Sequence, residues 1–137
     1  MSGLFGDTAN RTKPSSGLTP EKIISQLFYF HSQAHFNHLQ TKSYEVHKAL
    51  DELYKELVDF KDDIGELLLG YMAPDRFSNF ETIPVKNVDN GVLVDSIISF
   101  ADTLYAYGEQ TKWWELSNKA ADLSGLGRKI KYLLTLK

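Results

Sequence analysis

The chain has no cysteine. Disulfides, zinc–thiolate sites and thiol chemistry are therefore excluded, and the absence fits a cytosolic compartment. No apolar run reaches the ~20 residues that a membrane-spanning helix needs, and no signal-peptide pattern is visible. Basic charge is not in excess. The net charge is -3 and the sequence pI about 5.8, which gives no general electrostatic reason to bind nucleic acid. There is no phosphate-cradling glycine loop, no nucleophile elbow and no internal repeat. These absences lead to the expectation of a cytoplasmic protein with neither membrane nor nucleic acid as its partner.

What is present is ordinary for a globular chain. Of the 137 residues, 42% are hydrophobic and 24% charged, enough for one domain with a real core. Residues 1 to 18, MSGLFGDTANRTKPSSGL, are rich in small polar types and read as a flexible arm. Arg11 and Lys13 stand against Asp7 there, and Leu4-Phe5 forms its one apolar pair. From residue 19 onward the periodicity is helical. Thr19-Pro20-Glu21 is a helix start: a capping hydroxyl, a proline suited to the first turn and an acid that complements the helix dipole. The first helix is expected to about Leu39, with Ile24, Leu27, Phe28, His31, Ala34, His35 and His38 on its inner face. The second runs from about Ser43 to Tyr71, with Leu50, Leu53, Leu57, Phe60, Ile64, Leu67 and Tyr71 as the apolar stripe facing the bundle core, and is stopped by Ala73-Pro74-Asp75.

A long crossover, PDRFSNFETIPVKNVDNG over 74 to 91, follows. A connection of that length lets the second and third helices run parallel. Asp89 or Asn90 caps a third helix over about Gly91 to Gly108, with Gly108 closing it. A fourth starts near Thr111, and Gly125 and Gly127 predict a kink or break between Ser124 and Gly127. The expected fold is all-α, a four-helix bundle over residues 19 to 137.

The stretch from His35 to Glu66 carries the candidate chemistry. His47 and Asp51 are four residues apart on the second helix, as are Asp62 and Glu66 further along. At about 100° per residue the four fall within an arc of roughly 100°. The two pairs are separated by about 16 Å along the axis, too far for one ion with ligand bonds of about 2 Å. A single site using all four needs two chains. Antiparallel packing about a two-fold axis would set His47 and Asp51 of one copy against Asp62 and Glu66 of the other, and would do so twice. Tyr44, Tyr54, Val58 and Leu69 share that side of the helix and suggest a second packing partner. The plain alternative is a solvated face on which Lys48, Lys55 and Lys61 pair with the acids, with His31 and any single further histidine serving as neutral, hydrogen-bonded core groups.

The order His, His-x3-Asp, then Asp-x3-Glu resembles the metal site of the Dps proteins, the mini-ferritins of the ferritin-like superfamily. The match falls on His47, Asp51, Asp62 and Glu66. The first family histidine corresponds either to His35, counting without a gap, or to His38, matching the local phrase. Leu39 stands where a tryptophan is expected, and the turn reads QTKS in place of a glycine-containing one. The phrase HLQTKSYEVHKAL and the ending YLLTLK also look like a group of short phage-encoded ferritin-like proteins, for which His38 is the better match and the host cytoplasm or the virion the place. The resemblance implies a ferritin-like bundle with the long crossover between helices two and three. It implies iron as the metal, ferrous iron oxidised at a site between subunits, and a homo-oligomer of at least two copies, or twelve where a hollow shell forms. The alternative expectation is a non-enzymatic phage module that keeps the scaffold for assembly or protein interaction, with a degenerate metal site.

Overall fold

The computed structural model describes residues 17–136. It contains four helices, α1 (Pro20–Gln40), α2 (Tyr44–Met72), α3 (Asn90–Thr111) and α4 (Trp114–Leu133), followed by a 3-10 turn at Leu134–Leu136. No strand occurs among the described residues. The arm expected over residues 1 to 18 lies outside them except for its last two, of which Leu18 packs against the core.

Two helix starts follow from local chemistry. The Thr19 hydroxyl accepts from the Lys22 N–H at 3.1 Å, and the Ser43 hydroxyl accepts from the Val46 N–H at 3.3 Å, so each satisfies one of the N–H groups that a helix start leaves unpaired. Asp89 sits at the α3 N-cap but makes no side-chain capping bond. The other end of α3 corrects the expectation. The helix runs past Gly108 to Thr111 and ends where Lys112 turns left-handed at φ 63°, its N–H reaching the carbonyls of Gly108 and Glu109.

Gly108 is there for proximity to α4. A Cβ at that position would lie 2.2 Å from Ser117 Oγ and 2.9 Å from the Ser117 nitrogen. Nor is there a break at Ser124 to Gly127: α4 is continuous from Trp114 to Leu133. Gly127 lets it close on α3, since a Cβ would meet Ile98 Cγ1 at 2.6 Å. In both places glycine marks a close approach of two helices, where a local rule reads Gly108 as a helix stop and Gly127 as a weakness.

Side-chain pairs give the chain directions. His38 meets His47, and His31 meets Lys61, so α1 and α2 are antiparallel. Tyr71 meets Glu115, Lys119 meets Asp63 and Lys129 meets Glu52, so α2 and α4 are antiparallel. Ser117 binds the Tyr105 carbonyl and Lys131 meets Asp95, so α3 and α4 are antiparallel as well. Thus α2 and α3 run the same way. The connection between them travels the length of α1: Ser78 bonds to Glu21, Glu81 to Ser25, Lys86 to Gln33 and Val88 to Asn37. No part of it is helix or strand; side chains of α1 satisfy its backbone instead.

These bonds explain how α1 is rotated. Its core side chains are Ile23, Leu27, Phe30 and Ala34, with Gln33 and Asn37 buried beside them under the crossover. The expected inner face is corrected: Phe28 and His35 are exposed, His31 is half-buried, and His38 alone of the four histidines is buried. On α2, Leu50, Leu53, Leu57 and Ile64 are fully buried as expected, while Leu68 joins them and Phe60, Leu67 and Tyr71 lie at the edge. Each fully buried leucine or isoleucine contributes about 1.5–3 kcal/mol of hydrophobic stabilisation.

Candidate functional site

The turn between α1 and α2 is three residues long, so the last turn of one helix lies against the first turn of the other. There the His38 and His47 rings stack, with centroids 3.9 Å apart and planes inclined by 29°. Each binds the other's backbone: His38 Nδ1 donates to the His47 carbonyl at 3.2 Å, and His47 Nδ1 donates to the His38 carbonyl at 3.1 Å. A carbonyl oxygen only accepts, so both Nδ1 atoms carry protons. In the neutral rings both Nε2 atoms then hold free lone pairs. His38 Nε2 lies 4.0 Å from Asp51 Oδ1.

Asp51 is engaged by its own helix. Lys55, one turn on, reaches Oδ2 at 3.0 Å. That hydrogen bond, then the Lys55 charge and the neighbouring His38 and His47, hold the carboxyl below its usual range, with partial desolvation opposing them.

The other expected site residues are placed as follows. His35 is exposed and stacks on Tyr54, 4.3 Å between centroids, with its ring 6.1 Å from that of His38. His38, not His35, stands beside His47 and Asp51. Asp62 and Glu66 are exposed further down α2, apart from these three within one chain. Glu66 borders a groove between α2 and α4. Tyr44 and Val58, on the stripe expected to meet a second copy, are exposed, whereas Tyr54 is half-buried among His31, His35 and His38. Among the described residues, no group of three or more His, Cys, Asp or Glu side chains is arranged to hold a metal ion.

Lys61 is the residue that sequence patterning undervalued. Its ammonium lies 3.4 Å from His31 Nδ1 and 4.3 Å from the centroid of the Phe28 ring. Partial burial, then the charges of Lys61 and His35, push the His31 imidazole below its ordinary pKa. The available signal was that Lys61 is the lysine of α2 on the side facing α1. No described helix is long and apolar enough to cross a membrane.

Comparison with known proteins gives relatives without an assigned activity. A family described as "Family of unknown function (DUF5856)" matches residues 38–134. The chain is also similar to the "Uncharacterized 14.6 kDa protein in mobD-ri intergenic region" of Enterobacteria phage T4, with 27% identity over 132 residues, covering 96% of this chain and 98% of that one. No solved structure matches the chain.

Proposed function

The chain belongs to the family of unknown function DUF5856, and from that footing we propose that it is a ferritin-like four-helix bundle that binds a transition metal between two copies. In this reading His38, His47 and Asp51 of one copy supply one half of the ligand set, and Asp62 and Glu66 of the second copy the other. The observation that carries it is the paired Nδ1–H to carbonyl bonds of His38 and His47. Bonds of this kind fix the tautomer of metal-binding histidines and leave Nε2 free for the ion. The donor set, two imidazoles with carboxylates, suits iron through an oxidation cycle, carboxylate oxygens favouring the ferric state. Iron would enter as the substrate, oxidised from the ferrous form with oxygen or peroxide as the acceptor. The chain's own part is to bind and orient it: Asp51 exchanges Lys55 for the ion, and the backbone carbonyls keep the two rings from turning. The parallel course of α2 and α3 beside the long crossover supports the ferritin-like bundle.

A second reading, a non-enzymatic assembly or interaction module of a phage, is favoured by the ring geometry. Two rings stacked 3.9 Å apart and within 29° of parallel hold their in-plane lone pairs in nearly parallel planes, an arrangement poorly suited to a shared ion. Asp51 is also already paired with Lys55.

A ferrous titration under oxygen separates the two readings. The metal reading expects oxidation above that of buffer, saturating at a few irons per dimer and lost in His47→Ala and Asp51→Asn. It also expects cobalt or zinc to raise Tm and the dimer fraction together. Oxidation no faster than buffer, with Tm unmoved by any of these ions, would leave the interaction module.

A further inference from the structure

Acids recur along one side of α2: Glu52, Glu56, Asp59, Asp63 and Glu66, alternately four and three residues apart. That spacing keeps them in one stripe. The stripe faces α4, because Lys129 meets Glu52 and Lys119 meets Asp63. In the antiparallel register these pairs set, Asp59 stands level with Asp122 of α4. The fourth helix thus answers part of the stripe and adds an acid of its own. Among the described residues, Asp59, Glu66 and Asp122 make no ion pair.

Where the stripe ends, α2 and α4 part into a groove of about 810 Å³. Leu67 and Tyr71 form its apolar side, and Gly70 between them leaves it open: a Cβ there has nothing within 4 Å. Tyr71 is held in place. Its ring stacks on Trp113, centroids 4.5 Å apart, and its hydroxyl donates to Glu115 at 2.6 Å. The apolar surface is therefore formed before anything binds, which lowers the cost of ordering it. Asp63, Glu66, Glu115 and Asp122 line the same groove with Lys119, which is already bonded to Asp63. Four carboxylates against one ammonium leave an excess of three negative charges.

An apolar floor with an acidic rim is complementary to a surface with an apolar centre and cationic flanks. It repels phosphate, so nucleic acid and anionic lipid do not fit. Both walls are helices whose backbone groups are bonded internally, so an extended strand finds nothing to pair with. A helix needs no such pairing. Asp63 to Tyr71 spans about 12 Å and Glu115 to Asp122 about 10 Å. That is two turns, the length over which an amphipathic helix presents residues i, i+3, i+4 and i+7. A second copy is a poor source of the cations. The chain carries a net charge of -3, and Lys55, Lys119, Lys129 and Lys131 are each paired with an acid of their own chain.

We propose that the α2–α4 groove receives a cationic amphipathic helix of another protein, its apolar side chains on Leu67 and Tyr71 and its lysines or arginines on Asp59, Glu66 and Asp122. Glu66 is the one residue shared with the metal reading.

The probe is a fluorescein-labelled synthetic peptide of about four helical turns, with leucine at i, i+3, i+4 and i+7 and lysine elsewhere, titrated with the full chain at low salt. Binding is expected, and it should weaken as salt is raised. Asp122→Lys and Gly70→Arg should each lower the affinity about tenfold, the first by reversing a rim charge and the second by filling the groove. Glu81→Lys makes the same charge change as Asp122→Lys, but in the crossover along α1, and should leave the affinity within about twofold. Asp122 is exposed and the space at Gly70 is open, so both groove variants should keep the Tm of the unaltered chain. A peptide of equal charge with serine in place of leucine should bind the unaltered chain about tenfold more weakly. No binding by the unaltered chain up to about 0.1 mM, equal affinity in Asp122→Lys and Glu81→Lys, or equal affinity for the serine peptide overturns the proposal. So does a dimer of the unaltered chain that Gly70→Arg dissociates in the absence of peptide, because a second copy then fills the groove. Asp122 and Gly70 lie outside the ligand set proposed for the metal, so the ferrous titration and the peptide titration fail separately.

Discussion

The side-chain amide of Gln33 and the peptide group of Lys86 are hydrogen-bonded in both directions: Nε2 donates to the Lys86 carbonyl at 2.7 Å, and the Lys86 N–H donates to Oε1 at 3.1 Å. Nε2 also donates to Asn37 Oδ1 at 2.8 Å, and Asn37 Nδ2 in turn donates to the carbonyl of Val88. A buried polar side chain thus replaces the strand that the crossover lacks. Gln33→Leu leaves the Lys86 N–H and carbonyl without these partners and should destabilise the fold by about 2–3 kcal/mol. Chemical denaturation measures that loss, and amide exchange at Lys86 should quicken. A midpoint close to that of the unaltered chain would mean that water replaces the pairing at little cost.

The two glycines of α4 should respond in opposite ways to the same change. A Cβ at Gly125 has nothing within 4 Å, whereas one at Gly127 meets Ile98 Cγ1 at 2.6 Å. Gly125→Ala is expected to stabilise by up to about 1 kcal/mol through helix propensity. Gly127→Ala gains the same propensity but should be destabilising on balance, because overpacking a core contact costs about 1–3 kcal/mol. Thermal melts of the two variants check the signs, and matching shifts in Tm would refute the close approach of α3 and α4 at this point.

His31 should make stability depend on pH. Its pKa is depressed by partial burial, then by the charges of Lys61 and His35. A depressed folded value means that, as pH falls below the ordinary imidazole pKa of about 6.5, the unfolded chain takes up the proton first. The contribution is fully present above that value and is lost as pH falls through the lowered one. Tm should decline as the pH is taken from 7 towards 5, and less steeply in His31→Gln. Equal slopes in the two proteins would assign the decline to other groups.

At the alkaline end, Tyr71 and Tyr107 contribute. Burial pushes both up to about 12, with the Glu115 hydrogen bond adding to the effect at Tyr71 and the Glu21 charge at Tyr107. The folded protein keeps these protons where the unfolded chain has lost them. Their contribution is therefore present below about 10 and is lost as pH rises from there towards 12. In an absorbance titration these two of the seven tyrosines should ionise last, and Tyr71→Phe should remove one late step.

Much of the helical scaffold could be read directly, because its signals act within a turn. Thr19 caps as expected, the second helix starts at Ser43 as expected, and the apolar spacing of Leu50, Leu53, Leu57 and Ile64 points inward as expected. The candidate site was legible to the same extent. His47 and Asp51 share a face by spacing alone, but that His38 and not His35 lies against them depends on how α1 is turned.

Composition and periodicity determined that this chain is helical, that it carries no thiol chemistry and where its first two helices begin. Caps, turns and apolar stripes are decided by atoms a few residues apart, and those atoms are fixed by the order of the residues. Only the tertiary structure decided which face of α1 is inside, what Gly108 and Gly127 are for and what Gln33 binds. Each of these depends on what stands opposite: a glycine that reads as weakness in one helix is clearance for another, and a glutamine that reads as surface is buried once a distant backbone needs its amide.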